Sequence, residues 1–208
     1  MIAIIDFGVG NLGSVEKAFK FIGTEVIVTS DEQIILGADA VVLPGVGAFA
    51  NAMHKLQDAG LIDTIKKVIK SNKPFLGICL GMQLLFDYSE EGGENVRGLG
   101  IFKGAIRQIP VDMGLKVPQM GWNRLITRAS CPLFENLALD NYVYFVHSYY
   151  LKAENREIVV ASTSYGIDFD VAVGFGNVYA TQFHPEKSGE VGLTILRNFT
   201  KIIDRKEV

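Results

Sequence analysis

The stretch Phe75-Leu76-Gly77-Ile78-Cys79-Leu80-Gly81 decides how this chain is read. Phe75 to Ile78 is an apolar strand, and the chain beyond it runs straight into a helical pattern. A strand that turns into a helix at a cysteine flanked by glycines has the form of a nucleophile elbow with sulfur in place of oxygen. The glycines remove the Cβ atoms that would clash in so tight a bend, and the central side chain is lifted above the sheet. The thiol also falls at a helix N-terminus, whose unpaired N–H groups and partial positive charge favour thiolate over thiol. Taken by itself, Cys79 reads equally well as a small core residue in a strand-to-helix turn.

Upstream, β-rich runs alternate with helix-period segments. Ile2 to Ile5 reads as a first strand, and Val15, Ala18, Phe19 and Ile22 give a helix with Ser14 as N-cap and Gly23 as its stop. Glu25 to Thr29 and Ala40 to Leu43 are two further strands. The spacings Phe49, Ala52, Met53, Leu56 and Leu61, Ile65, Val68, Ile69 give two helices parted at Gly60 and closed before Pro74. This alternation predicts an α/β fold with a mostly parallel, doubly wound central sheet and flanking helices. Downstream the texture changes to β segments at 101–109, 117–127, 142–151, 157–164, 170–174 and 177–183, an additional antiparallel β region with a tight hairpin at Gly174-Phe175-Gly176-Asn177. A last helix carries Val191, Ile195, Asn198, Phe199 and Ile202 on one stripe and frays into a charged tail. With no repeat, low-complexity tract or flexible linker, one domain over 1–208 is expected.

At 208 residues, 49% hydrophobic and 21% charged, the chain has the material for a substantial core and lacks the profile of a disordered one. Its formal charge of −3 offers no basic footprint for nucleic acid or an anionic membrane. Two cysteines are too few for a disulfide framework and suit a reducing compartment. Met1 to Ile5 lacks the basic region and cleavage site of a signal peptide. The longest uncharged apolar stretch, Pro74 to Phe86, falls short of the roughly 20 residues that span a bilayer. A cytoplasmic protein with small-molecule or protein partners, no nucleic acid and no membrane is expected.

A thiolate that performs acyl transfer needs a base. His184 closes the strand Val178 to Phe183, Pro185 forces it into an extended conformation, and Glu186 stands two residues on, where an extended chain returns a carboxylate to the same side. Both Cys79 and His184 thus sit at strand C-termini, where open α/β sheets place their sites. Pro44-Gly45-Val46-Gly47 ends the strand Ala40 to Leu43, and its peptides can join the N–H of Leu80 around a developing oxyanion. His54 reads as a solvated helix residue, His147 as a pocket-lining residue without an acid beside it, and Cys131 as structural. No Cys or His pair has ligand spacing, so no metal is expected. A competing motif is Gly8-Val9-Gly10-Asn11-Leu12-Gly13, a G-x-G-x-x-G run with Asp31 about a strand later, which alone points to a dinucleotide-dependent oxidoreductase. A non-catalytic α/β interaction module is the third class.

With the elbow, the Pro-Gly-Val-Gly loop and Gln182-Phe183-His184-Pro185-Glu186 in this order, the chain resembles the class I (triad) glutamine amidotransferases over nearly its whole length. Ile4 to Ser14, Pro118-Gln119-Met120-Gly121-Trp122-Asn123, Phe145-Val146-His147-Ser148-Tyr149 and His184 to Ser188 are similar to the glutaminase subunits of imidazole glycerol phosphate synthases, of histidine biosynthesis. The resemblance implies that Cys79 attacks the glutamine amide, that His184 moves the proton and that Glu186 holds the imidazole. It places the oxyanion at Leu80 and the Val46-Gly47 peptide. Gln83, Glu91 and Ser148 would hold the amino-acid head of glutamine, Glu91 from an acidic loop (90–94) whose register is open. In this family the glycine-rich start is a structural turn and no cofactor is implied.

The resemblance also implies a partner. The chain is too short to hold a (β/α)8 synthase barrel, which takes about 250 residues, so a separate cyclase subunit is expected to receive the ammonia. Met120, Trp122 and Asn123 match the docking segment, and Lys187 a position near the mouth of the ammonia passage. Trp122, the only tryptophan, reads as an interface anchor or, alternatively, as core packing. A glutaminase serving another acceptor synthase remains the alternative within the group.

Overall fold

Three strands buried along their whole length, β1 (Ile2–Ile5), β3 (Ala40–Gly45) and β4 (Phe75–Cys79), form the centre of the sheet, as continuous apolar runs in a parallel sheet should. They alternate in the first half with α1 (Leu12–Phe21), β2 (Val26–Thr29), α2 (Glu32–Gly37), α3 (Phe49–Asp58) and α4 (Leu61–Lys70). The second half supplies α5 (Leu80–Gln83), β5 (Phe86–Ser89), β6 (Val96–Arg97), β7 (Phe102–Gln108), β8 (Gln119–Thr127), β9 (Asn141–His147), β10 (Tyr149–Ala153), β11 (Val159–Tyr165), β12 (Ile167–Phe175), β13 (Val178–Thr181) and α6 (Gly189–Asp204). This computed structural model describes residues 1–205 except 94, 95, 113, 129 and 139. Glu94 of the acidic loop and the charged tail at 206–208 lie outside the described residues.

The strands run in the order β2-β1-β3-β4-β13-β12-β10-β7-β5-β6, with β11, β8 and β9 branching from β12. The pairs from β2 to β13 are parallel, and beyond β13 antiparallel pairing dominates. Alternate side chains feed two cores. Ala3, Ile5, Val41, Leu43 and Phe75 pack with α3 and α4 through Phe49, Leu56, Leu61, Ile65 and Val68. Ile2, Ile4, Val42, Leu76 and Ile78 pack on the other face with Val15 and Phe19 of α1 and Ile195 and Phe199 of α6.

The layered α/β architecture agrees with the expectation, and Phe175↔Val178 closes the anticipated hairpin. Local details differ for identifiable reasons. The helix after Cys79 lasts one turn. Leu84 and Leu85 hand their carbonyls to the N–H groups of Leu99 and Ile101, so the apolar run continues as β5 instead. The first helix starts at Leu12 behind Asn11, not at Ser14. Residues 142–151 break at Ser148, because β9 pairs with β8 while β10 pairs with β7 and β12. The segment 157–164 opens as a 3-10 turn (Arg156–Ile158) before β11 begins.

Candidate active site

Cys79 is the last residue of β4 and has φ 55°, ψ −110°, a left-handed conformation whose cost is on the order of 1–3 kcal/mol for a non-glycine residue. Three glycines make it reachable. A Cβ on Gly81 would lie 1.8 Å from the Leu43 carbonyl oxygen, one on Gly77 would lie 2.9 Å from Gly81 O, and one on Gly45 would meet Leu80 Cβ at 3.0 Å. Backbone can therefore turn hard against backbone, and the thiol is left at the sheet's C-terminal rim.

β13 lies parallel to β4 with Thr181 opposite Ile78, so the chain leaving β13 carries Gln182 and His184 to the same rim. His184 is extended (φ −97°, ψ 99°) as its proline requires, but Pro185–Lys187 form a 3-10 turn. Glu186 thus returns through a turn and not along extended chain. Its Oε1 stands 2.8 Å from His184 Nδ1, with both side chains 1% exposed. The histidine backbone is fixed as well: its N–H donates to Tyr144 O at 3.0 Å, and the Ser188 hydroxyl donates to its carbonyl at 2.6 Å. Burial alone would push the imidazole down. Its interactions with Cys79 and then Glu186 outweigh that and raise it to about 9. Among the described residues His184 Nε2 closes no hydrogen bond of ordinary geometry.

A cavity of about 440 Å3 opens over the pair, lined by Val46, Gly47, Leu80, Gln83, Glu91 and Ser148 as well as Cys79 and His184. Two glutamates of the acidic loop turn different ways. Glu90 turns to Arg107 and to Gln108 N at 3.0 Å, and the arginine holds its carboxyl below the usual range. Glu91 faces the cavity. Its Oε2 accepts from Phe49 N at 2.8 Å, where α3 begins without a side-chain cap, and burial pushes its carboxyl up. Gln83 is held by its amide, whose Nε2 donates to Tyr149 O at 3.1 Å and Gln182 Oε1 at 2.9 Å.

Beside the cavity mouth, β8 and β9 present an exposed aromatic patch. Met120 and Trp122 are 62% and 57% exposed, so Trp122 is not core packing. The Trp122 ring meets Tyr144 edge-on at 6.1 Å, and Lys187 Nζ stands 6.0 Å over Tyr144. Asn123 stands apart from these three. It follows the alternation of β8 to the other face, where Nδ2 donates to Ser164 O at 2.9 Å.

The other candidates lie outside this group of side chains. His54 is exposed and Cys131 is buried, its thiol pushed up by that burial. His147 lines the cavity 6% exposed, and burial lowers it to about 4 with help from the charge of His184. The glycine-rich start is braced from inside: Gly8 N donates to Asp6 at 2.9 Å and Lys55 Nζ donates to Gly8 O at 2.8 Å. Asp31 caps α2, accepting from Gln33 N at 2.7 Å and Ile34 N at 3.2 Å, which employs the carboxylate a dinucleotide reading would assign to a ribose. Sequence reasoning gave no role to Gln182, Tyr144 or Ser188, whose contacts depend on strand register; for Gln182 the only local signal was its place in the run 182–186.

Residues 3–203 match the family model for class-I glutamine amidotransferases. The chain is 54% identical over 203 residues to the imidazole glycerol phosphate synthase subunit HisH of Methanothermobacter thermautotrophicus, covering 98% of this chain and 99% of the relative. It is 48% identical over 210 residues to the same-named subunit of Geobacillus sp. (strain WCH70), covering 99% of each. Among solved structures, one described as a glutamine amidotransferase superposes with a TM-score of 0.76 at 18% identity over 98% of both chains, a likeness of fold. On these matches the chain belongs to the class-I glutamine amidotransferase family, and within it to the HisH subunits of imidazole glycerol phosphate synthase.

Proposed function

We propose that Cys79, His184 and Glu186 hydrolyse glutamine and that the ammonia passes to a cyclase subunit. The observation that carries this reading is one cavity holding a strained elbow thiol and a buried imidazole backed by a carboxylate 2.8 Å away. In the thiolate–imidazolium form, Cys79 Sγ attacks the side-chain carbonyl of glutamine. The N–H groups of Leu80 and Gly47 receive the oxyanion. His184 then gives its proton to the departing nitrogen, ammonia leaves, and a γ-glutamyl thioester remains. Water attacks that thioester as His184 takes its proton. Glutamate departs and the ion pair is restored. Glu186 keeps the imidazole oriented throughout, and Gln83, Glu91 and Ser148 hold the amino-acid head.

The cyclase, a (β/α)8 barrel, docks over the patch of Met120, Trp122 and Lys187, with Asn123 at its border, and turns the ammonia into imidazole glycerol phosphate and an aminoimidazole carboxamide ribotide. The chain works as one domain, 1–208, in the cytoplasm. None of the described helices is long and apolar enough to cross a membrane. The test is glutamate release from glutamine by the chain mixed with its cyclase. Cys79→Ala is expected to abolish it while leaving the complex intact, and retained hydrolysis would overturn the reading.

A further inference from the structure

Gln182 is wholly buried, and its amide meets Gln83 at one end and Cys79 at the other. The commitments have a fixed polarity. Tyr149 O is a backbone carbonyl and can only accept, so the Gln83 atom 3.1 Å from it is Nε2. The same Nε2 spends its second hydrogen on Gln182 at 2.9 Å, so the Gln182 atom there is Oε1. The other end of the Gln182 amide is then Nε2, an N–H donor, and it stands 3.7 Å from Cys79 Sγ. One main-chain oxygen thereby dictates that a donor faces the sulfur. The Gln182 backbone cannot drift, because its N–H donates to Val171 O at 2.8 Å. Meanwhile α5 is only four residues long, too short to build much of a helix dipole behind the thiol.

We propose that Gln182 is a positioning residue that favours the thiolate of Cys79 by directing an amide N–H at its sulfur, and that the same amide fixes the orientation of Gln83. A thiolate accepts hydrogen bonds far better than a thiol, so a donor held on the sulfur stabilises the nucleophilic form selectively. Both hydrogens of Gln83 Nε2 are occupied, so what Gln83 offers a ligand in the cavity is Oε1, an acceptor suited to the N–H groups of glutamine. This inference rests on Cys79 being the nucleophile of the proposed function.

The test is iodoacetamide labelling of the full chain from pH 6 to pH 10, read by mass spectrometry on the Cys79 peptide so that Cys131 does not interfere. Gln182→Met, which removes the donor, is expected to label about tenfold more slowly at pH 7, with the gap closing toward pH 10 where base supplies the charge. Gln182→Glu keeps the shape and the acceptor for Gln83 but turns an acceptor on the sulfur. It is expected to label at least as slowly at pH 7, and in the complex to lower kcat while KM for glutamine stays. Superimposed labelling profiles overturn the proposal. So does a gap that persists unchanged to pH 10, which marks lost access, or a parent-like rate in Gln182→Glu. Labelling does not depend on glutamine turnover, so failure of the glutaminase reading shows separately, as a parent complex that releases no glutamate.

Discussion

Replacing His147 with asparagine isolates one slope of the pH–stability curve. The ring is 6% exposed, lies 5.6 Å from Phe145 and 5.9 Å from Phe169 between centroids, and its Nδ1 is 2.9 Å from Tyr149 O. Burial moves its titration from 6.5 to about 4. Between those values the unfolded chain binds a proton at this residue that the folded chain refuses. Acidification through the window therefore favours unfolding, while above 6.5 and below 4 the residue adds no slope. From 6.5 to about 4, at about 1.36 kcal/mol per pH unit, the effect totals about 3 kcal/mol, of which about 2 kcal/mol falls between pH 7 and pH 5. His184 acts in the opposite window: raised to about 9, it contributes fully below 6.5 and is lost as pH rises toward 9, so it leaves the acid side clean. Asparagine keeps an N–H toward Tyr149 O and cannot titrate. Urea unfolding of both proteins at pH 5, 6 and 7 should show the parent losing about 2 kcal/mol more than His147→Asn. Parallel slopes would refute the claim that His147 is held neutral by burial, whatever the absolute stability of the variant.

Gly81→Ala, which sets a Cβ 1.8 Å from a backbone oxygen, should cost more than about 3 kcal/mol, read as loss of soluble folded chain or a much lower urea midpoint; near-parent stability would contradict the elbow packing. Trp122→Ala should weaken cyclase binding by about 2 kcal/mol with little change in melting temperature, because the ring is 57% exposed. An unchanged Kd by calorimetry would remove it from the interface. Asp31→Ala should lower unfolding free energy by about 1 kcal/mol through loss of the α2 cap and leave glutamine turnover alone; reduced turnover at unchanged stability would give Asp31 another role.

Much of the fold and of the candidate site was legible in the residues because the relevant physics is local or periodic. Unbroken apolar runs such as Ile2–Ile5 and Phe75–Ile78 announce strands buried on both faces. A cysteine between glycines at a strand end has the form of an elbow but reads as one only once His184 is counted at a second strand end, and the proline after His184 sets its backbone directly. What escaped depended on partners far along the chain. The single-turn α5 ends because distant N–H groups of Leu99 and Ile101 claim its neighbours' carbonyls. Ser148 breaks a strand because β9 and β10 have different partners. Gln182 meets Gln83 and Cys79 across about a hundred positions, through the register of β13 on β4. Asp31 was read only within the dinucleotide pattern; capping and ribose binding ask for the same side chain, and the N–H groups of Gln33 and Ile34 show that it caps α2.

The most direct measurement of the central claim is an acid quench of the chain, working in complex with its cyclase on glutamine, followed by peptide mass mapping. A γ-glutamyl adduct on the Cys79 peptide, absent in Cys79→Ala and diminished in His184→Ala, is the predicted result. Steady glutamate release with no adduct at Cys79, or an adduct whose formation is indifferent to His184, would contradict it.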